Sequence, residues 1–183
     1  MQRKCGECSL CCKLLPLGEM GKKANMRCPH QRHQAGGCCK IYPDRPPPCK
    51  SWSCLWILHP GTGDLSRPDR AHYVIDPMAD YVTAGQADGT QVKVLVAQIW
   101  CDPKYPDAHR DPALRAFLLK TGRVVAMIRY SDKEAFVLAY QDGRWHECKS
   151  NVTVEKFGHS PDQVRSVIAD SQAKYESVNA RAD

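Results

Sequence analysis

Nine of the 11 cysteines lie in the first third of the sequence, at positions 5, 8, 11, 12, 28, 38, 39, 49 and 54. The densest run is Cys5-Gly6-Glu7-Cys8-Ser9-Leu10-Cys11-Cys12. Gaps of two residues let neighbouring thiolates point at one ion, and Gly6 permits the tight turn that this requires. Buried structural thiols are common as single residues but not at this density. The pattern therefore predicts a metal-binding segment.

The same cysteines argue against a disulfide framework. Their total is odd, and adjacent residues such as Cys11 and Cys12 rarely reach disulfide geometry. The N-terminal residues lack the apolar core of a signal peptide, and no apolar run is long enough to cross a bilayer. We therefore expect a cytoplasmic protein without a membrane partner, in a compartment where thiols stay reduced.

The cysteine pattern resembles a known family. The run from Cys5 to Cys12 is followed by Cys38-Cys39-Lys40-Ile41-Tyr42-Pro43-Asp44-Arg45-Pro46 and then by Cys49. This arrangement, with Cys28-Pro29-His30 and the Trp52 to Trp56 stretch, is similar to the YkgJ-like bacterial cysteine-cluster family, a zinc- or iron-chelating CxxCxxCC group. The resemblance covers residues 5–56 and implies metal chelation. A related group, the flagellin lysine methylases, shares the cluster and leaves an enzymatic role open.

The resemblance also selects among the cysteines. The family pattern has another residue type in place of Cys38, so Cys39 is the implied ligand and Cys38 is not. The candidate metal ligands are Cys5, Cys8, Cys11, Cys12, Cys28, Cys39, Cys49 and Cys54. Eight thiolates fill two four-cysteine zinc sites, and seven fill two sites that share one bridging thiolate, with Cys11 or Cys12 the spare or bridging residue.

Iron is the alternative metal. Tetrahedral thiolate sites suit both Zn²⁺ and iron–sulfur clusters such as [4Fe-4S]. Cys5, Cys8 and Cys11, joined by a remote Cys28 that precedes Pro29, resemble a ferredoxin run, although the fourth cysteine of that run should lie four positions further on. We expect zinc in a structural role, with an iron–sulfur protein in redox or methyl-transfer chemistry as the alternative.

Positive charge is concentrated in the cysteine-rich part. Residues 1–60 contain ten Lys and Arg against three Asp and Glu, a net +7, and the remainder has 16 against 17, a net −1. Since a divalent ion held by four thiolates carries −2, nearby cations would offset it. A nucleic-acid surface is the less favoured interpretation, because no aromatic-interleaved basic stretch occurs. A zinc-dependent module that binds a protein partner stays open.

Several other side chains have possible roles at such a site. His30 and His33 could replace a cysteine as ligands, but we expect outer hydrogen-bond donors or solvated side chains. We expect Tyr42, Trp52 and Trp56 to cover the metal as an apolar lid, and Arg45 to donate hydrogen bonds to thiolates or carbonyls.

Outside the cysteine-rich segment the sequence carries little chemistry. Cys101 and Cys148 lie near predicted strand ends and are expected to be half-buried structural thiols. Asp76, Asp80 and Asp102 are scattered carboxylates with no base paired to them in sequence. No phosphate-binding glycine loop, dinucleotide fingerprint or nucleophile elbow occurs. The sequence therefore does not favour an enzyme.

The elements that must position these residues divide the chain in two. Residues 1–58 form a module that needs metal to close it, with Pro46-Pro47-Pro48 as a stiff extended run that delivers Cys49. Residues 59–71 read as a loop that leads into an α+β body over 59–183, with a small mixed or antiparallel sheet and two or three helices. Strands are predicted at residues 72–76, 80–84, 92–100, 124–130, 135–140 and 144–148. Helices are predicted from Pro112 to about Lys120 and from Ser160 through Val178.

Overall fold

The computed structural model describes residues 3–32, 39–85 and 89–148, and within them it has an α+β fold. Five strands form one mixed sheet in the order β1-β2-β3-β4-β5. Their bounds are β1 Tyr73–Gly85, β2 Gln91–Cys101, β3 Val125–Arg129, β4 Ala135–Gln141 and β5 Arg144–Cys148. Strands β2 and β3 pair in parallel, and every other neighbouring pair is antiparallel. The prediction of an α+β fold with a small mixed sheet is therefore confirmed.

The parallel pair follows from the helix between its strands, since a parallel connection needs a long crossover. This helix, Pro112–Lys120, begins where the Asp111 side chain accepts a hydrogen bond from the Ala113 N–H at 2.9 Å. A proline at the first position needs no N–H partner. Gly122 follows the helix with a φ of +68°, which favours glycine. The predicted helix is confirmed.

The predicted strands at 72–76 and 80–84 belong to one strand, β1, and the prediction of two was wrong. Pairing with β2 continues through the segment, with a register shift between Asp76 and Ala79. Pro77 lies at this point and has no N–H to donate to the ladder, so the strand bulges there without ending. The strands predicted at 135–140 and 144–148 are confirmed as β4 and β5, which form an antiparallel hairpin with Asp142 and Gly143 at φ +51° and +77° in its turn. The helix predicted from Ser160 lies outside the described residues.

The remaining helices are short. They are Leu10–Leu14, Pro47–Ser51, Leu55–Leu58 and Pro68–Ala71, numbered α1 to α4, and the Pro112–Lys120 helix is α5. Single 3₁₀ turns occupy Gly18–Met20, Pro60–Thr62 and Ala108–Arg110. The predicted loop over 59–71 therefore contains a 3₁₀ turn and α4. No helix among the described residues is long and apolar enough to cross a membrane.

The extended run predicted at Pro46-Pro47-Pro48 was wrong for two of its residues. Pro46 is extended, with φ −53° and ψ 151°, but Pro47 and Pro48 form the first turn of α2. The first turn of a helix needs no intrahelical N–H donors, so prolines are tolerated there. Cys49 is therefore placed by a helix, which fixes its direction more tightly than an extended run would.

The sheet lies between two apolar layers. On one face, Ile75, Ile99 and Ile128 pack against α5, and on the other, Val74 and Trp100 pack against the cysteine-rich segment. Leu10 and Leu14, four residues apart on α1, are buried in this second layer.

Burial of each such side chain stabilises the fold by roughly 1.5–3 kcal/mol. The second layer therefore fixes α1, and with it Cys11 and Cys12, against the body of the protein.

Candidate metal centre

A tight turn and α1 together position the first cysteines. The N–H of Cys8 donates to the carbonyl of Cys5 at 2.9 Å, and Gly6 between them has a φ of +53°. That conformation favours glycine, as the sequence predicted. Cys11 and Cys12 follow on α1, and successive residues of a helix point about 100° apart. The two adjacent thiols nevertheless remain close enough to hydrogen-bond to each other.

Cys8 and Cys54 are the buried thiols of this region, at 8% and 7% exposure. They lie in one apolar layer with Val74 and Trp100, and Cys11 packs against it. Burial raises the pKa of Cys8 and raises that of Cys54 to about 12, and charge on Cys5 and Cys8 raises the pKa of Cys54 further. Without a metal these thiols keep their protons.

Backbone N–H groups are nevertheless directed at the same two sulfurs. Cys8 accepts from the N–H groups of Leu10 and Asp69, and each of these bonds lowers its pKa. Cys54 precedes α3, and the nearby N–H groups of Trp56 and Ile57 in its first turn lower its pKa, while the Ile57 N–H donates to the Cys54 carbonyl at 3.0 Å. Hydrogen bonds of this kind stabilise a thiolate. The two sulfurs are buried yet prepared for negative charge, a combination that suits metal ligands.

Cys11 and Cys12 have different surroundings. The Cys11 thiol is hydrogen-bonded to Cys12, which together with burial raises the pKa of Cys11, and charge on Cys54 and Cys5 raises it further. Cys12 accepts that bond, which lowers its pKa to about 7 against the opposing effect of burial. The hydrogen bond that the two thiols share therefore shifts their pKa values in opposite directions.

Cys28, Cys39 and Cys49 lie on the Cys12 side of α1. The N–H of Cys28 donates to the carbonyl of Cys12 at 3.1 Å, and a β-bridge joins Gln31 to Cys39. Burial raises the pKa of Cys49, and the charges of Cys12, Cys28 and Cys39 raise it further. Cys49 therefore lies within electrostatic range of Cys12, Cys28 and Cys39.

This arrangement differs from one grouping that the sequence spacing indicated. The ferredoxin-like grouping joined Cys28 to Cys5, Cys8 and Cys11. In the structure Cys54 lies with those three, whereas Cys28 lies beside Cys12. Sequence spacing did not reveal this, because the path of the chain between Cys12 and Cys54 decides which thiols meet.

Two cations flank Cys12, namely Lys22 and Arg45, and both lower its pKa. Lys22 is buried at 8% exposure, and its ammonium donates to the carbonyls of Lys13 and Lys23 at 3.1 and 3.4 Å and to that of Leu15. A buried ammonium is costly unless negative charge or carbonyls surround it. Sequence analysis missed Lys22, and only its place in a local charge excess could have indicated it.

Polar contacts tie the cysteine-rich segment to the sheet and its loops. Lys13 pairs with Asp102, and the N–H of Ala24 donates to Asp132 at 3.2 Å. The indole of Trp52 donates to Asp76 at 3.0 Å. The scattered carboxylates at 76 and 102 therefore serve as anchors of this segment. The carboxylate of Asp80 pairs with the Arg129 guanidinium at 2.7 Å within the sheet layer.

The structure confirms only some of the roles predicted for the aromatic residues, Arg45 and His30. Trp52 and Trp56 pack against the layer that holds Cys8 and Cys54, but Tyr42 is 48% exposed and forms no lid. Tyr42 instead stacks under the Arg45 guanidinium, 3.8 Å from its ring centre, and its carbonyl accepts from Arg45 at 2.9 Å. The predicted bond from Arg45 to a carbonyl is confirmed. His30 is half-buried.

Four other residues singled out from the sequence lie outside the described residues or away from the cysteine-rich segment. Cys38 and His33 are outside the described residues. Cys101 ends β2 at 1% exposure, and Cys148 ends β5 exposed, so the prediction that both are half-buried was wrong. Strand ends were predicted correctly, but burial depends on what packs over each end. Cys101 lies under α5, and burial raises its pKa to about 12.

A second polar cluster lies at the far edge of the sheet. Buried His109 contacts the carbonyl of Pro106 through Nδ1 and the carboxylate of Glu147 through Nε2, both at 2.9 Å. Arg110 donates to the same carboxylate at 2.9 Å, and the bonds from Arg110 and His109 lower the pKa of Glu147 to about 2. Both ring nitrogens have partners, so this cluster joins β5 to the loop before α5.

All ten described cysteines are free thiols. Among the described residues, no group of three or more His, Cys, Asp and Glu side chains is already arranged to hold a metal ion. Thiols are nevertheless the donor class that soft metal ions such as zinc prefer. Comparisons with protein families, curated proteins and solved structures find no match.

Proposed function

We propose that this chain is a metal-binding protein that chelates Zn²⁺ through the eight cysteines Cys5, Cys8, Cys11, Cys12, Cys28, Cys39, Cys49 and Cys54. The observation that carries the proposal is the gathering of cysteines from distant parts of the sequence. Cys54 lies with Cys5 and Cys8, and Cys49 lies with Cys12 and Cys28. Six of these eight thiols are only partly buried, so packing of an apolar core does not account for their number. Metal ligation explains why so many are kept together.

The proposed role of the metal is structural. The cysteine-rich segment has four- and five-residue helices, which are too short to be stable alone. Its apolar contribution rests on a few side chains such as Leu10 and Leu14. Metal ligation would supply the remaining stabilisation, as in small metal-closed modules. We propose that residues 1–58 are closed by metal onto the body at 59–183.

Local charge supports thiolates as the ligands. Lys22 and Arg45 face Cys12, and Arg67 lies near Cys8. Two four-thiolate zinc sites would carry about −4, and the net +7 of residues 1–60 offsets this. The nearness of these cations to Cys12 and Cys8 favours charge compensation over a nucleic-acid surface. The proposal agrees with the YkgJ-like resemblance and with a cytoplasmic location, where thiols stay reduced.

Iron is the alternative that the same thiols allow. Cys5, Cys8 and Cys11, with Cys54 as the fourth thiol, form a set of the kind that holds an iron–sulfur cluster, and N–H groups directed at Cys8 and Cys54 are typical of such sites. A redox or methyl-transfer role would follow from that chemistry. Purification without oxygen separates the two metals, since an iron–sulfur protein is coloured and zinc is colourless.

The test is elemental analysis of protein purified without oxygen. We expect Cys5→Ser and Cys49→Ser to lower metal content and thermal stability together, because the metal-free and open states are linked. The matched control is Cys101→Ser, which removes a buried thiol on the other face of the sheet and should leave metal content unchanged. A chain that folds fully with neither zinc nor iron would refute the proposal.

A further inference from the structure

A cleft of about 510 Å³ lies on the body of the protein, and none of the described cysteines lines it. The end of α4 forms one part of its wall, and the loop between β2 and α5 forms another. The side chains that give it chemical character are Arg70, His72, Lys104, Tyr105, Asp107 and Asp111. Clefts of about 300–1,000 Å³ are typical of sites for small organic ligands. The cleft is therefore large enough for one such molecule.

Two stacked aromatic rings belong to this lining. The centroids of the His72 and Tyr105 rings are 3.5 Å apart, and the ring planes are 4° from parallel. Tyr105 is 47% exposed even though His72 covers one face of its ring. The other face of Tyr105 is therefore open to solvent, and a third planar ring can extend the stack there.

The backbone at His72 holds this stack in place. His72 ends α4 with φ 62° and ψ 20°, the left-handed conformation that glycine usually occupies at this point of a helix. Its N–H donates to the carbonyl of Pro68 at 2.8 Å, and its carbonyl accepts from the N–H of Asp102 at 2.9 Å. Glycine would adopt this conformation with less strain, so the presence of histidine indicates a role for the imidazole side chain.

Two cations of the cleft lack an anionic partner. Arg70 and Lys104 are both exposed, and neither forms an ion pair with another residue in the described part of the chain. Asp69 and Asp102, the carboxylates whose pKa these cations lower, are already in ion pairs with other cations. The positive charges of Arg70 and Lys104 are therefore available to a ligand.

The two carboxylates of the cleft, in contrast, already have donors. Asp107 pairs with Arg110 at 3.3 Å. Asp111 accepts from the Tyr73 hydroxyl at 2.8 Å and from the Ala113 N–H at 2.9 Å. These bonds stabilise the negative charge within the protein, so the cleft favours an anion over a cation.

From these contacts we propose that the cleft binds a mononucleotide, a ligand that joins a planar ring to a phosphate. The base stacks on the open face of Tyr105, and Arg70 and Lys104 hold the phosphate. An arginine can donate two parallel N–H bonds to phosphate oxygens, and a lysine acts as a point charge. A single-stranded nucleic acid carries the same groups but is normally bound along a longer basic groove with several stacking residues, so one nucleotide fits this cleft better.

Calorimetric titration of the full-length, metal-loaded protein with adenosine monophosphate tests the proposal. The nucleotide should bind at least about tenfold more tightly than adenosine or inorganic phosphate, because each of these engages one half of the site. Tyr105→Ala should weaken nucleotide binding about 5–150-fold, the usual effect of removing a stacking ring, whereas Tyr105→Phe should stay within about twofold of the wild type.

The lysine of the site has its own matched control. Lys104→Ala should weaken nucleotide binding and make it less dependent on salt, whereas Lys120→Ala, at an exposed position of α5 outside the cleft, should change neither. Folded wild-type protein that does not bind the nucleotide, or equal affinities of Tyr105→Ala and Tyr105→Phe, would overturn the proposal. A single-stranded oligonucleotide that binds far more tightly than the mononucleotide would also overturn it, in favour of a nucleic-acid surface.

Discussion

Lys22 gives the sharpest test of how the fold supports the thiols. Its ammonium is buried, donates to the carbonyls of Lys13, Leu15 and Lys23, and lies near Cys12 and Cys28. Lys22→Met keeps most of the side-chain volume and removes the charge. Lys23→Met is the matched control, because Lys23 is adjacent in sequence and exposed.

Two opposing effects set the magnitude. Hydrogen bonds from a charged donor contribute about 1.5–3 kcal/mol each. Burial of the ammonium lowers the pKa of Lys22, so part of that gain is offset by desolvation. We expect a net loss of about 1–3 kcal/mol in the free energy of unfolding of metal-loaded protein. Loss of a cation beside Cys12 and Cys28 should weaken Zn²⁺ binding about 10–100-fold, the usual effect of removing a group that supports metal ligands.

Urea unfolding measures the first quantity, and competition with a chromophoric chelator measures the second. The Lys23→Met protein should match the wild type in both. Equal Zn²⁺ affinity in Lys22→Met and Lys23→Met would refute the reasoning, since the buried ammonium would then have no electrostatic role at the thiols.

Three further predictions concern the rest of the protein. Arg129→Met removes the guanidinium that pairs with the buried Asp80 carboxylate, so urea unfolding should show a loss of about 3–5 kcal/mol. Addition of Asp80→Leu should recover most of that loss. A loss below about 1 kcal/mol would contradict a stabilising buried pair. Cys101→Ser should lower the melting temperature, because it buries a hydroxyl in an apolar layer, while elemental analysis shows unchanged metal; metal loss would show that the ligand assignment is wrong. The pKa of Glu147 is lowered to about 2 from 4.5, so its contribution to the free energy of unfolding is complete above pH 4.5 and is lost as pH falls toward 2. Glu147→Gln should therefore reduce the change in the free energy of unfolding over that pH range. An unchanged pH profile in the variant would argue against the bonds from His109 and Arg110 to Glu147.

Elements with local signals were predictable from the sequence. Asp111 and Pro112 define the start of α5 through a side-chain cap and a fixed backbone angle, which neighbouring residues alone determine. The β4–β5 hairpin likewise follows from Asp142 and Gly143 in its turn. Strand β1 was divided in the prediction because Pro77 reads as a strand end. Only the pairing with β2 shows that the strand continues past it.

The sequence was enough to predict which cysteines belong to the candidate site, but not which of them lie close together. Density and spacing identify the cysteines, but contacts between residues far apart in sequence decide which of them meet. Cys54 joins Cys5 and Cys8 because α3 packs near β1, and Cys28 joins Cys12 through a backbone bond 16 residues apart in sequence. Burial of Lys22 has the same origin. A charged residue reads as exposed until its partners are known.

Metal stoichiometry with thiol protection is the most direct test of the central claim, that the cysteines chelate metal. Protein purified without oxygen is analysed for bound metal, and its thiols are then counted with a labelling reagent before and after chelation. The account predicts two metal ions per chain and eight cysteines that react only after the metal is removed. A folded protein with no bound metal, whose cluster cysteines react at once, would contradict it.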